Sequence, residues 1–327
     1  MNSLNKDHEL FSDIIGQEFA INFLSSVLKK NKISNAYLFS GPEGIGKKLT
    51  ALRFLEGILN KGKYSLKERR RLELFQHPDL LWIEPTYQNQ GQLISKSKAH
   101  EIGLNSRAKP QIRLEQIRDI SRFFSKVPLE AVSGMVVIEG VETMAEQAAN
   151  ALLKTLEEPR NGFLILITSR AEKLLPTIHS RCQSINFHSL NKIDFQKVVN
   201  RIYEQQKDSL KISDQYIEEE ISMMSNGSPG AFIENIQSCS SIPSELWPNL
   251  KNLPKDSLSA LSLAKEISEN LDIDQQIWLI NWLQQNIWAK KRNSQRIKRL
   301  EKLRFQLGCF VQPRLAWEIA LIEIRDY

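Results

Sequence analysis

Gly41, Gly44, Gly46 and Lys47 fall within the stretch GPEGIGKKLT, Gly41–Thr50. This spacing is that of a phosphate-binding loop, G-x-x-x-x-G-K, whose glycines let backbone N–H groups wrap phosphate oxygens while the lysine reaches the β- and γ-phosphates. The pattern breaks at the next residue: where a hydroxyl should hold Mg²⁺ stands Lys48. Two readings stay open, a loop that holds ATP or ADP and a glycine turn that joins a strand to a helix without ligand. A nucleotide held here is expected to depend little on Mg²⁺, with the Lys48 ammonium near the phosphates as a substitute. The other half of such a site is a carboxylate at the end of a later strand, which holds the metal and orients water. Glu139 is the candidate, after the apolar run MVVI, but Gly140 follows it and has no side chain to polarise a water. Both losses argue against hydrolysis by this chain.

Arg181, in IHSRCQS, lies between a helical pattern at Leu174–Ile178 and an apolar run at Ser184–Phe187. An arginine so placed is a surface residue or a strand-end ion pair. The three cysteines, Cys182, Cys239 and Cys309, are odd in number and far apart, which gives no disulfide framework and no C-x-x-C metal pattern. Neither they nor the five histidines are clustered as zinc ligands, so no zinc and no other metal site is expected.

The elements that must position these residues alternate. Strand-like apolar runs occur at Ala36–Ser40, Leu80–Glu84, Met135–Ile138, Phe163–Thr168 and Ser184–Phe187. Continuous apolar runs of this length suit strands covered on both faces, as in a parallel sheet. Between them Glu18–Lys30, Lys47–Asn60 and Glu115–Ser125 read as helices, so the first half is an α/β domain. Thr143 and Glu146 form a T-x-x-E capping box ahead of a helix that Pro159 stops. Thr86–Pro110 is polar and reads as a long surface excursion, and the basic stretch Lys63–Arg71 as a solvated helix face.

After Leu190 the strand signals stop. Asn191–Gln206 and Asp214–Ser225 read as helices, and Asn226–Gly230 as a turn. In QQIWLINWLQQNIW the residues Ile277, Trp278, Ile280, Trp282, Leu283 and Ile287 recur at helical steps, which marks a packed helix face. Ala289–Arg304 holds eight basic residues and one acid, a solvated surface or else a contact for DNA. The net charge of +6 permits attraction to a polyanion or an acidic protein. The chain has neither an apolar signal core at its start nor a run long enough to span a membrane, and a reducing, cytoplasmic setting is expected.

FSDIIGQEFA, NAYLFSGPEGIGKK, HPDLLWIEP, ANALLKTLEEP, ITSRAEKLLPTIHSRCQSINF and NGSPGAFI occur in this order. Together they resemble the δ′ family of clamp-loader subunits of bacterial DNA polymerase III, within the AAA+ superfamily. The resemblance is strong over about Phe11–Phe232 and loose beyond, and LKTLEEP followed by the serine-arginine-cysteine motif is its most specific part. It implies a P-loop domain with a parallel five-stranded sheet over 1–189, a helical lid over 190–238 and a helical collar for oligomerisation over 239–327. It also implies partners: γ/τ motor subunits, a δ subunit and, through the complex, the sliding clamp and primed DNA. The arginine of the motif, here Arg181, would act in trans on a neighbour's ATP, and Thr168 or Ser169 matches the strand-end sensor residue. Many members carry four zinc-binding cysteines after the loop, and motor subunits usually carry a lid arginine after GSPG. This chain has no cysteine between Gly41 and Cys182, and has Ala231 and Phe232 in the lid. The implied role is therefore a largely rigid stator without independent catalysis. The rivals are an active motor of γ/τ or helicase type and, in another class, a phosphate-loop kinase.

Overall fold

The computed structural model describes residues 10–89, 91–102, 108–205, 215–254, 256–309 and 311–326. The chain divides into two compact units, Met1–Asp194 and Phe195–Tyr327. The stretches expected as lid, 190–238, and collar, 239–327, fall in the second from Phe195 on.

In the first unit β1 (Ala36–Ser40), β2 (Leu80–Ile83), β5 (Gly134–Glu139), β6 (Gly162–Thr168) and β7 (Gln183–Asn186) form a five-stranded sheet in the order β2-β5-β6-β1-β7. Every pairing in it is parallel, with Ser40 opposite Thr168 on one side and Asn186 on the other, and Ile83 opposite Ile138. The five apolar runs of the sequence are these five strands. Alternate residues feed two cores, as the two-residue strand period requires. Tyr37, Phe39, Met135, Val137, Phe163 and Ile165 pack with Leu24, Phe54 and Leu55 of α1 (Glu18–Lys30) and α2 (Lys47–Leu59). On the opposite face Leu38, Val136, Ile138 and Leu164 meet Ile117, Ile120 and Leu152 of α5 (Leu114–Phe124) and α6 (Glu146–Glu157).

Three local expectations are corrected. The polar stretch from Thr86 is an ordered antiparallel hairpin, β3 (Thr86–Asn89) and β4 (Gln92–Ser95), leading into α4 (Lys96–Glu101). Residues 90 and 103–107 of that stretch lie outside the described residues. Thr143 does not cap α6: it ends a 3₁₀ turn, Val141–Thr143, and its hydroxyl donates to Gly140 O at 2.7 Å, so the N-cap is Ala145. The helix before Arg181 is a 3₁₀ turn at Ala171–Lys173, then α7 (Pro176–His179).

The basic stretch Lys63–Arg71 is not a free solvated face. It forms α3 (Leu66–Glu73), whose Arg69 Nε donates to the fully buried Glu56 at 2.8 Å and whose Arg71 bridges to Glu130 at 2.7 Å. Buried Arg53 joins Asp13 and Glu73 at 2.6 Å each, and Ser65 N–H donates to Glu56 Oε1 at 2.9 Å. These charges tie α2, α3 and the segment before α1 together.

In the second unit α9 (Gln215–Met224), α10 (Pro229–Ser240), α11 (Trp247–Lys251), α12 (Ser257–Asn270), α13 (Ile273–Lys291), α14 (Ser294–Gly308) and α15 (Pro313–Asp326) follow α8 (Lys192–Gln205), which crosses the boundary. The apolar stripe on α13 is core: Trp278, Ile280, Trp282, Leu283 and Ile287 are buried. Trp282 and Trp317 keep their indole N–H groups satisfied, on Glu220 at 3.0 Å and Gln276 at 2.9 Å. Of the basic run, Arg299 is buried on Glu323 at 2.7 Å, Arg304 bonds Asn281 and Gln284 across to α13 and Arg296 is half-buried, while Arg292, Lys298 and Lys302 are exposed. Among the described residues no helix is long and apolar enough to cross a membrane.

Candidate functional site

The loop that ends β1 turns back because its glycines adopt backbone angles other residues resist. Gly41 has φ +144°, and a Cβ there would stand 2.2 Å from Phe187 O. Gly44 and Gly46, at φ +76° and +96°, complete the turn into α2. Lys47 is the first residue of that helix and is buried. Its Nζ donates to Gly41 O at 2.6 Å and also to Pro42 O, so the amine is held by the loop's own carbonyls. Burial pulls its pKa down to about 8, against the opposing pull of Glu43, Glu142 and Glu139.

Lys48 points elsewhere. Its Nζ lies 3.3 Å from Glu139 Oε2 and 3.6 Å from Glu84 Oε1. Phe75 and Trp82 close over it, with ring centroids 5.3 and 5.2 Å from the nitrogen. Glu139 ends β5, Glu84 follows β2, and Trp82 Nε1 donates to the same Glu139 oxygen at 3.2 Å. Glu84, Trp82 and Phe75 are neighbours of Lys48 that the sequence does not reveal, because nothing in the spacing of HPDLLWIEP, or of Phe75 just before it, ties them to the loop.

Gly140, the position that would carry a water-polarising acid, has φ +68°, and a Cβ there would meet Pro85 Cγ at 2.9 Å. A side chain at 140 therefore demands both a strained backbone and a shifted proline. Two residues on, Glu142 accepts from the Ser169 hydroxyl at 2.5 Å and from Ser169 N–H at 3.1 Å. Burial pushes its carboxyl up, but these donors outweigh burial and hold it below the usual range. Its Oε2 is buried without a hydrogen-bond partner among the described residues. Glu142 was visible in EGVE but eclipsed there by Glu139. Thr168 is buried at the end of β6, and its hydroxyl accepts from Arg170 N–H at 3.1 Å. Glu43, inside the loop, pairs with Lys96 of α4 at 3.2 Å, so the hairpin excursion reaches the phosphate loop.

Arg181 stands apart from this cluster, between α7 and the edge strand β7. Its Nε and Nη2 donate to Glu157 Oε1 at 3.0 and 2.5 Å, and Nη1 to Thr177 O at 3.1 Å. The guanidinium is partly exposed and Glu157 more so. Burial pushes the neighbouring Cys182 thiol up to about 12, so it is unreactive near neutral pH. In the second unit Ser228 caps α10 by accepting from Ala231 N–H, and Phe232 is core. The described residues contain no group of three or more His, Cys, Asp or Glu arranged for a metal ion.

A family model described as DNA polymerase III, delta subunit, matches residues 16–191. A second, described as cyanobacterial DNA polymerase III delta prime, C-terminal domain, matches residues 194–324. DNA polymerase III subunit delta′ of Bacillus subtilis (strain 168) is 33% identical over 181 residues, 53% of this chain and 48% of the relative. The subunit delta′ of Pseudomonas aeruginosa is 33% identical over 156 residues, 46% of this chain and 42% of the relative. Subunit tau of Bacillus subtilis is 31% identical over 193 residues, 59% of this chain and 31% of the relative. The chain thus spans about half the length, or less, of these curated relatives. Among solved structures, a DNA polymerase III gamma subunit-related protein from Thermotoga maritima is similar at a TM-score of 0.54 and 17% identity. The similarity covers 93% of this chain and 98% of that one, and it bears on the fold alone. With one family model over the sheet domain and another over the helices that follow, the chain belongs to the DNA polymerase III delta subunit family, in its delta prime form.

Proposed function

We propose that this chain is the stator of a clamp-loader complex: it does not hydrolyse ATP itself and offers Arg181 to the ATP of a neighbouring motor subunit. The observation that carries this reading is Lys48. Its ammonium rests on Glu139 and Glu84, the carboxylates of the strand ends beside the loop, where a motor would gather its metal. Gly140, packed against Pro85, leaves no place for a base. Arg181 keeps what the loop has lost. Its fork of donors sits at the surface on a single carboxylate, which the γ-phosphate of another chain can replace.

In this reading the chain sits in the cytoplasm and assembles with γ/τ-type and δ subunits. Through that assembly it helps to place the sliding clamp on primed DNA. ATP or ADP enters the loop only if Lys47 leaves the Gly41 and Pro42 carbonyls, so binding is weak or moderate. The test is a steady-state ATPase assay of the full chain alone, followed by size-exclusion co-migration with motor and δ subunits. No turnover together with co-migration is expected. Turnover by the chain alone would make it a motor instead.

A further inference from the structure

Glu84 and Glu139 end up side by side because β2 and β5 pair with Ile83 opposite Ile138, which puts the next residue of each strand at the same sheet edge. Two carboxylates so placed repel, and a cation between them removes the repulsion. In a phosphate-loop site that cation is a divalent metal, held by the loop hydroxyl and a strand-end acid. With the Lys48 ammonium on both carboxylates, the donor set here does not fit one. The hydroxyl is absent, and a Mg²⁺ ion demands oxygen ligands at roughly 2.0–2.1 Å in near-octahedral array. Beside these carboxylates lie instead the faces of Phe75 and Trp82, 5.3 and 5.2 Å from Lys48 Nζ. Aromatic faces attract an ammonium but cannot ligate a hard divalent ion. Trp82 also donates to Glu139 Oε2 at 3.2 Å, which fixes that carboxylate under the lysine.

We propose that Lys48 is a built-in cation that excludes the divalent metal from this site, and that its removal uncovers a latent divalent-cation site on Glu84 and Glu139. The proposal rests on reading Gly41–Thr50 as a degenerate phosphate loop, and it deepens that part of the proposed function. It does not need a partner subunit, a bound nucleotide or Arg181. A lysine in place of the loop hydroxyl thus separates two properties that other phosphate loops join: the cradle of backbone N–H groups is kept, while the metal requirement is gone.

The experiment is a titration of the full-length chain with Mn²⁺ alone, free ion being read by electron paramagnetic resonance. It compares the unmodified protein with Lys48→Thr, which restores the loop hydroxyl, and Lys48→Ala, which bares the carboxylates without adding a ligand. Lys48→Thr/Glu139→Gln is the control. Both single variants should bind Mn²⁺ at least about tenfold more tightly than the unmodified chain, a difference of roughly 1.4 kcal/mol. The threonine variant should be the tighter of the two, and the double variant should lose the gain. Equal affinity in the unmodified chain and both single variants, whether tight or undetectable, overturns the proposal. So does a gain that survives Glu139→Gln. Because neither neighbours nor ATP are present, failure here leaves the role of Arg181 standing, and failure of Arg181 leaves this site standing.

Discussion

Lys47 and Lys48 are adjacent and chemically alike, yet they do opposite things. Lys47 begins α2 facing the loop, where burial draws its pKa to about 8. Lys48 turns to the sheet edge and stays paired. The identity of both was legible in the sequence, and so was the missing hydroxyl. The partner of Lys48 was not, because Phe75, Trp82, Glu84 and Glu139 are distant in the chain and meet only through the pairing of β2 with β5. The lowered pKa of Lys47 gives a prediction with a definite sign. A phosphate is bound by the protonated amine, and raising the pH through about 8 removes that proton from the free protein. ADP affinity should therefore fall by on the order of tenfold at one pH unit above the Lys47 pKa, where the ADP phosphates are already fully ionised. A fluorescent-ADP titration across this range measures it, with Lys47→Arg as a variant whose charge does not titrate. Affinity that is unchanged above pH 8 would show that the lysine takes no part in binding.

At the scale of elements, the inner strands β1, β5 and β6 were readable because each is an apolar run buried on both faces, and β7 by the alternating buried Ile185 and Phe187. The hairpin β3–β4 was not, because TYQN and QLIS are largely polar and partly exposed, and the contacts that order them, to each other and from Thr86 to Gln111, are not local in the sequence pattern. The capping box failed for a local reason: the chain turns at Gly140, and Thr143 spends its hydroxyl there. The arginines of α3 were legible as charge but not as structure, since their carboxylate partners lie at positions 13, 56 and 130. Glu56 is the fully buried centre of this network, facing Arg53 and Arg69. Removing one partner of a buried charge pair costs about 3–5 kcal/mol. Glu56→Ala should therefore lower the calorimetric Tm by roughly 6–12 °C, taking the lower end of that cost. Arg122→Ala, which breaks the exposed pair with Asp119, should leave Tm unchanged within error. If both variants melt alike, the network is surface decoration rather than a clamp between α2 and α3.

In the whole molecule Lys48 rests on Glu139 and Glu84, a side chain at Gly140 would meet Pro85, and Arg181 lies at the surface, held by Glu157 and Thr177. Its motif was legible, and Glu157 as its holder was not, although LKTLEEP contains it. A guanidinium offered to the γ-phosphate stabilises the charge that spreads over its oxygens, and such fingers contribute on the order of 10³–10⁵ in rate in GTPases. Arg181 serves one ATP site among several in the proposed complex, so its loss should silence that site and lower the bulk rate only in part. Arg181→Lys should rescue poorly, because a point charge does not reproduce the planar fork. The most direct measurement is the DNA- and clamp-stimulated ATPase of the reconstituted complex containing Arg181→Ala, with assembly checked by size exclusion. The mutant complex should assemble normally, hydrolyse ATP at a reduced rate and load clamps slowly; normal assembly with the unmutated rates of both would leave Arg181 as no more than the partner of Glu157.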